Sequence, residues 1–129
     1  MATIKEDYVS FETAKILKEK GFDESISMVY MSYGDLCKLH RYDSICNSNY
    51  NDITKNYFEC TAPTLQMAMK WLREVHNVFI EPKMSKNTFL WGYRVSISNG
   101  RTRCIHANIF NKYEEACEAA IKYCLENLI

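Results

Sequence analysis

The apolar positions of residues 61–80, TAPTLQMAMKWLREVHNVFI, predict a helix that leads directly into a strand. Pro63 suits the first turn of a helix, where its missing N–H is not needed, and Thr61 and Thr64 are both possible N-caps. Apolar side chains then recur at steps of three and four residues, the period of one helix face. They are Leu65, Ala68, Met69, Leu72, Val75 and His76. Asn77 tolerates the left-handed conformation that ends many helices.

Two more helices are predicted, one near each end of the chain. Ser10 is the expected N-cap of the first, and Gly21 ends it. Asn111 is the expected N-cap of the last, with Glu114 completing a capping box. The stripe of the last helix extends over four turns and consists of Tyr113, Ala116, Cys117, Ala120, Ile121, Cys124 and Leu128.

Three regions have the pattern of strands. Residues 26–33 are rich in β-formers on both faces, which indicates a strand that is central in its sheet or covered on both sides. Residues 88–97 and 104–109 alternate between apolar and polar. The core face is expected to consist of Phe89, Trp91, Tyr93, Val95 and Ile97 from the former and Ile105, Ala107 and Ile109 from the latter. Cys104, His106 and Asn108 are then expected to point outward with Arg94.

This assignment fixes the expected connection between the last two strands. A two-residue Asn99-Gly100 turn would pair odd positions with even ones and turn one apolar set to solvent. A three-residue loop over residues 98–100, with Gly100 left-handed, instead pairs Tyr93 with Ile105 and Trp91 with Ala107.

The remaining segments predict loops. Residues 34–60 are crowded with Asn, Asp and Ser, although residues 36–40 could form a helical turn and residues 57–58 could begin a short strand. Residues 82–87 predict a turn. The sequence therefore predicts a single α+β domain over residues 1–129. It has an antiparallel sheet of three to four strands with helices packed on one face, in the order α-β-loop-α-β-β-β-α.

Composition limits the classes of function. The chain is 47% hydrophobic and 13% aromatic, which is typical of a globular domain. Its sixteen basic and sixteen acidic residues cancel, so no overall field attracts nucleic acid or an anionic membrane. No apolar run is long enough to span a bilayer, and the first residues lack the pattern of a signal peptide. We therefore expect a cytoplasmic protein whose six cysteines are reduced.

The sequence does not predict a catalytic residue, a metal or a cofactor. His76 lies at a helix end, where a donor to free carbonyls is the simpler role. Cys37, His40, Cys104 and His106 could be drawn as a zinc site, but their spacing is not a known zinc signature.

Two surfaces are candidates for binding. Arg94, Arg101, Arg103 and His106 could form an anion or phosphate face, although arginines at a hairpin end also simply keep a sheet edge soluble, which we favour.

Met67 and Trp71 form a second apolar strip beside the main stripe of their helix. Either the first helix or the long loop with Tyr50, Tyr57 and Phe58 covers this strip, which we favour, or a second copy of the chain does.

Two resemblances add expectations. From residue 61 onward, the helix–strand–strand–strand–helix order resembles the double-stranded-RNA-binding domain, and YEEACEAAIKYCLENL resembles its last helix. That family reads phosphates with lysines at the start of this helix, where this chain has Glu114 and Glu115, so the resemblance implies no RNA function. SFETAKILKEKGF, APTLQMAMKWLREVHNVFI and YEEACEAAIKYCLENLI are similar to segments of small uncharacterised proteins encoded by phages and prophages of gut anaerobes.

Together these features predict a non-enzymatic interaction protein of phage or prophage origin. Its partner would be an unknown host protein or a second copy of the chain. The alternatives are a nucleic-acid-binding module that uses Arg94, Arg101 and Arg103, and a small hydrolytic or metal-dependent enzyme.

Overall fold

The structure is a computed structural model that describes residues 4–24, 26, 28–33, 36–41 and 58–129. The chain forms two compact units. The N-terminal unit is Tyr8–Thr64, and the C-terminal unit is Leu65–Ile129 together with the start of the chain as far as Asp7.

The α+β class and the antiparallel pairing are confirmed, but the strands form two three-stranded sheets instead of one. The second sheet arises because the segment 34–60, which was predicted to be a loop, contributes two strands. The helical turn predicted at residues 36–40 is wrong, because these residues are extended, whereas the short strand predicted near residue 58 is confirmed. Residues 42–57 of this segment lie outside the described residues. A single domain over residues 1–129 stays a prediction.

Helix α1 (Phe11–Glu19) begins and ends where its sequence predicts. The Thr13 N–H donates to Ser10 Oγ at 3.2 Å, which makes Ser10 the N-cap. Gly21 has a φ of 94°, and the Phe22 N–H donates to the Leu17 carbonyl at 2.9 Å. This is a left-handed helix ending that returns an apolar side chain to the helix, and Phe22 is buried as a result.

The N-terminal sheet has the order β2-β1-β3, with β1 (Met28–Tyr33) between β2 (Leu36–Arg41) and β3 (Phe58–Thr61). The central position was one of the two alternatives predicted for β1, and it is the one that the structure shows. Helix α1 packs against β3, and the Tyr30 hydroxyl donates to the Val9 carbonyl at 2.6 Å.

Helix α2 (Leu65–His76) opens the C-terminal unit and ends at Asn77, whose φ of 56° confirms the predicted left-handed stop. Its buried residues are Leu65, Ala68, Met69, Trp71 and Leu72. Val75, predicted in the core, is 53% exposed, so that prediction is wrong. The buried face includes Trp71 instead, because a large ring buries more apolar area than a valine.

The C-terminal sheet has the order β4-β5-β6 and is antiparallel throughout. Its strands are β4 (Val78–Met84), β5 (Trp91–Ile97) and β6 (Thr102–Phe110). Pro82 lies inside β4 and not in the predicted turn; β4 is an outer strand, where a missing N–H is tolerated. Phe89, predicted on the core face, precedes β5 with a φ of 58° and is exposed.

The predicted three-residue loop between β5 and β6 is confirmed, but the pairing beyond it is wrong. The Ile97 N–H donates to the Arg101 carbonyl at 3.0 Å, and Gly100 has a φ of 79°. The register then shifts: Ser96 lies opposite Thr102, whereas Val95 lies opposite Cys104. One extra residue of β6 is accommodated there, so the alternation of β6 is reversed.

Helix α3 (Tyr113–Asn127) packs against all three strands of this sheet and against α2. Its N-cap is Lys112, without a side-chain capping bond, and not the predicted Asn111. The buried stripe is largely as predicted and consists of Ala116, Cys117, Ala120, Ile121, Cys124 and Leu125.

Candidate functional site

The two faces of the C-terminal sheet differ in their covering, and the inner face packs on α3. Tyr93 is buried there, with its ring stacked on His106 at 5.0 Å and 6.5 Å from the ring of Tyr123 in α3. His106 also lies 5.2 Å from the ring of Phe110. His106 therefore belongs to the helix-covered face, and the prediction that it points outward with Arg94 is wrong.

Burial keeps three ionisable groups of the C-terminal unit in their neutral forms. Burial raises the pKa of Tyr93 to about 12 and that of Cys124 to about 12. Burial likewise raises the pKa of Cys117 to about 11. The thiolate is the reactive form of cysteine, so these two cysteines are protonated, unreactive members of the core at neutral pH. The five cysteines within the described ranges are all free thiols.

The outer face carries an ion pair at its centre. Glu81 and Ile105 lie opposite Arg94 on either side, so the three form one row across the sheet. Arg94 Nη2 lies 2.6 Å and Arg94 Nε 3.0 Å from Glu81 Oε2. The hydrogen bond from Arg94 lowers the pKa of Glu81. The Arg94 guanidinium, a predicted anion ligand, is thus already bound to a carboxylate.

Apolar side chains surround this pair and face solvent. On β6, Ile105 is 74% and Ile109 61% exposed, with exposed Ala107 between them. Phe79 on β4 is exposed as well. The placement of Ile105, Ala107 and Ile109 in the core was therefore wrong, because the register shift turns them to the outer face. We call Phe79, Ile105, Ala107 and Ile109 the outer apolar patch.

Basic residues are concentrated in the segment that carries β5 and β6, and the total charge of the chain conceals them. Residues 82–113 contain six basic residues and no acidic one, so the other parts of the chain hold ten basic and all sixteen acidic residues. Arg101 and Arg103 are exposed at the β5–β6 hairpin, where the Arg101 N–H donates to Asn99 Oδ1 at 2.9 Å. A count by segment could have found this asymmetry from the sequence.

The structure thus separates the four residues of the predicted anion face. Arg94 lies mid-sheet in an ion pair, Arg101 and Arg103 lie at the hairpin, and His106 lies on the opposite face. Anion binding by this set stays a prediction.

The predicted strip of Met67 and Trp71 is covered only in part. Trp71 is 4% exposed, and the ring of His76 meets it edge-on at 4.6 Å. Met67 is 39% exposed. Burial of Trp71 within a single chain agrees with the internal cover that we favoured for it. The aromatic residues at positions 50 and 57, named with that cover, lie outside the described residues.

The other candidate sites have less support as binding sites. A shallow pocket of about 130 Å³ lies beside the first turns of α2 and α3, where Gln66 Nε2 donates to the Tyr113 hydroxyl at 3.0 Å. Ligand sites usually measure roughly 300–1,000 Å³, so this pocket is small for a ligand site. Across the described ranges, His, Cys, Asp and Glu form no group of three or more that could hold a metal.

Comparison with protein-family models, with curated proteins and with solved structures found no match to this chain. In the part of the chain that the structure describes, no helix has the length and apolar character needed to cross a membrane.

Proposed function

We propose that this chain is a non-enzymatic protein-interaction module whose binding surface is the outer face of the C-terminal sheet. The observation that carries the proposal is the exposure of Ile105 and Ile109 on β6, together with that of Phe79 across the sheet on β4. Several large apolar side chains exposed on one face of a sheet are uncommon on surfaces that bind nothing. On the resemblance of its helical segments, we extend the proposal to an accessory protein of phage or prophage origin that acts on a host protein.

The proposal is tested by capture of proteins from a host lysate with the wild-type chain and with two variants. Ile105→Glu combined with Ile109→Glu places charge in the outer apolar patch and should abolish capture of the specific partner. Val75→Glu is the matched control, because Val75 is an exposed apolar residue on α2 and lies outside the patch. Capture that is identical for all three chains would refute the use of this face.

Nucleic-acid binding is the second candidate, and the excess of basic residues over residues 82–113 favours it. Arg101 and Arg103 would then supply phosphate contacts, since Arg94 is paired with Glu81. Binding of mixed RNA or DNA that weakens steeply with salt, and weakens further in Arg101→Gln with Arg103→Gln, would establish this function in place of the first.

A further inference from the structure

The outer face has the dimensions to take one helix. Adjacent strands lie about 4.8 Å apart, so three strands make a face roughly 10–15 Å wide, close to the diameter of a single helix. Strand β5 has seven residues and spans about 23 Å, which a helix of roughly 15 residues matches. The inner face of the same sheet already packs against helices.

The edges of the sheet are poorly suited to adding a strand. Pro82 in β4 has no N–H to donate to a neighbouring strand. Strand β6 shifts register with β5 at two places, between Trp91 and Tyr93 and between Val95 and Ser96. Such irregularities twist a strand and interrupt its outward row of backbone groups. A partner is therefore expected to pack on the face and not to extend the sheet.

The charges indicate the chemistry of the partner. Lys83 extends from β4 at one end of the face, 4.0 Å from Glu81, and Arg101 and Arg103 lie at the hairpin at the other end. The carboxylate of Glu81 is shared by Arg94 and Lys83, and residues 82–113, which include Arg101 and Arg103, contain no acidic residue. A second copy of the same face would place like charges together, whereas an acidic partner would complement them.

We infer that the outer face binds an acidic amphipathic helix of a partner protein, which rests on the proposed function. The apolar side of that helix packs on the outer apolar patch, against Ile105 and Ile109 of β6 along one side and Phe79 of β4 along the other. Its carboxylates lie near Lys83 at one end and near Arg101 and Arg103 at the other. This is the helix-in-groove mode of recognition transferred to an open sheet face.

The probe is a fluorescently labelled synthetic helix of about 18 residues, with leucine along one side and glutamate on the others. Its counterparts are a scrambled peptide of the same composition and a peptide with lysine in place of glutamate. Fluorescence anisotropy should show saturable binding of the glutamate helix alone. Ile105→Glu with Ile109→Glu should weaken it by roughly tenfold or more, and Val75→Glu should not.

Two further variants keep the test decisive. Circular dichroism checks that the glutamate variant is folded, and Ile105→Ser with Ile109→Ser provides a milder change that should weaken binding in the same direction. Arg101→Glu combined with Arg103→Glu should also weaken binding of the acidic helix. This loss of affinity should be smaller at high salt, where charges are screened.

Four results would overturn the inference. They are equal binding of the scrambled peptide, preference for the lysine helix, displacement of the probe by a short nucleic acid, and concentration-dependent dimerisation through the same residues. If protein capture from lysate depends on Ile105 and Ile109 but the glutamate helix does not bind, the proposed function stands and only the identity of its partner is wrong.

Discussion

At the scale of single residues, Trp71 is the test of how the central helix is buried. It is 4% exposed, whereas Met67, one turn earlier, is 39% exposed. Trp71→Ala should lower the free energy of unfolding by roughly 3–5 kcal/mol, because it leaves a large cavity. Met67→Ala is the matched control and should cost less than about 1 kcal/mol. Urea denaturation measures both.

The oligomeric state separates the two covers considered for Trp71. With internal burial, Trp71→Ala elutes on size exclusion as the wild-type chain does. A variant of unchanged stability that elutes at a smaller size would show instead that a second copy covers this residue.

Several single residues act as the sequence predicts because their effects are local. Ser10 accepts the bond of an N-cap, and Gly21, Asn77 and Gly100 adopt the left-handed conformations expected of them. Glycine lacks the Cβ that makes this conformation costly, and asparagine tolerates it better than most residues. Phe89 is the exception. It also has a positive φ, of 58°, but phenylalanine is not a residue type that predicts this conformation.

At the scale of elements, the two helix N-termini give a matched pair of variants. Ser10 accepts the Thr13 N–H, so Ser10→Ala should cost about 1 kcal/mol of unfolding free energy. Asn111 matches a capping box in sequence, but α3 begins after Lys112 without a side-chain cap. Asn111→Ala should therefore change stability by less than about 0.5 kcal/mol. Equal losses in urea denaturation would contradict this assignment of the caps.

The orientation of β6 is the element-scale feature that sequence patterning decided wrongly. Both phases of CIHANIF contain apolar or aromatic residues, so alternation alone does not say which phase faces the core. The register shift beside the hairpin turns Cys104, His106 and Phe110 to the inner face. There His106 stacks on Tyr93, and Phe110 lies near both rings.

This orientation has a direct test in stability. Ile105→Glu with Ile109→Glu should cost less than about 1 kcal/mol per site, because both side chains are mostly exposed. Val95→Glu, on the buried face of β5, should cost more than about 3 kcal/mol or prevent folding. Far-UV circular dichroism and urea denaturation measure both. Loss of folding in the double variant would restore the original assignment of Ile105 and Ile109 to the core.

At the scale of the whole molecule, the buried ionisable groups predict sensitivity to alkali. Folding raises the pKa of Tyr93 to about 12, of Cys124 to about 12 and of Cys117 to about 11. Groups with a raised pKa hold protons more tightly in the folded state, so the unfolded state ionises first as the pH rises. The contribution of these three groups to the free energy of unfolding should be constant below about pH 9, the ordinary pKa of a thiol, and fall from there to about pH 12.

Tyr93→Phe provides the control for this pH dependence. The substitution removes one group that ionises earlier in the unfolded state, so the variant should lose less stability than the wild-type chain above about pH 10, the ordinary tyrosine value. Urea denaturation between pH 8 and 11 measures the difference. A wild-type chain whose stability does not fall over this range would refute neutral burial of these groups.

The distribution of charge is also a property of the whole molecule that a total conceals. Sixteen basic and sixteen acidic residues suggest a chain without a field, yet residues 82–113 hold six of the former and none of the latter. Of these six, Arg94 lies opposite Ile105 in mid-sheet, and Lys83, Arg101 and Arg103 lie towards the ends of the strands. The candidate site therefore depends on an apolar patch together with a local excess of positive charge. The sequence analysis did not connect these two features.

The sequence by itself determined the α+β class, the three helices and the loop at Gly100. These features follow from periodicity, capping and backbone conformation, which act over a few neighbouring residues. Only the tertiary structure decided that Val75 is exposed, that β6 is reversed, and that Arg94 is bound to Glu81. Each of these depends on which strand or helix lies opposite, and a shift of one residue in register turns a whole strand to its other face.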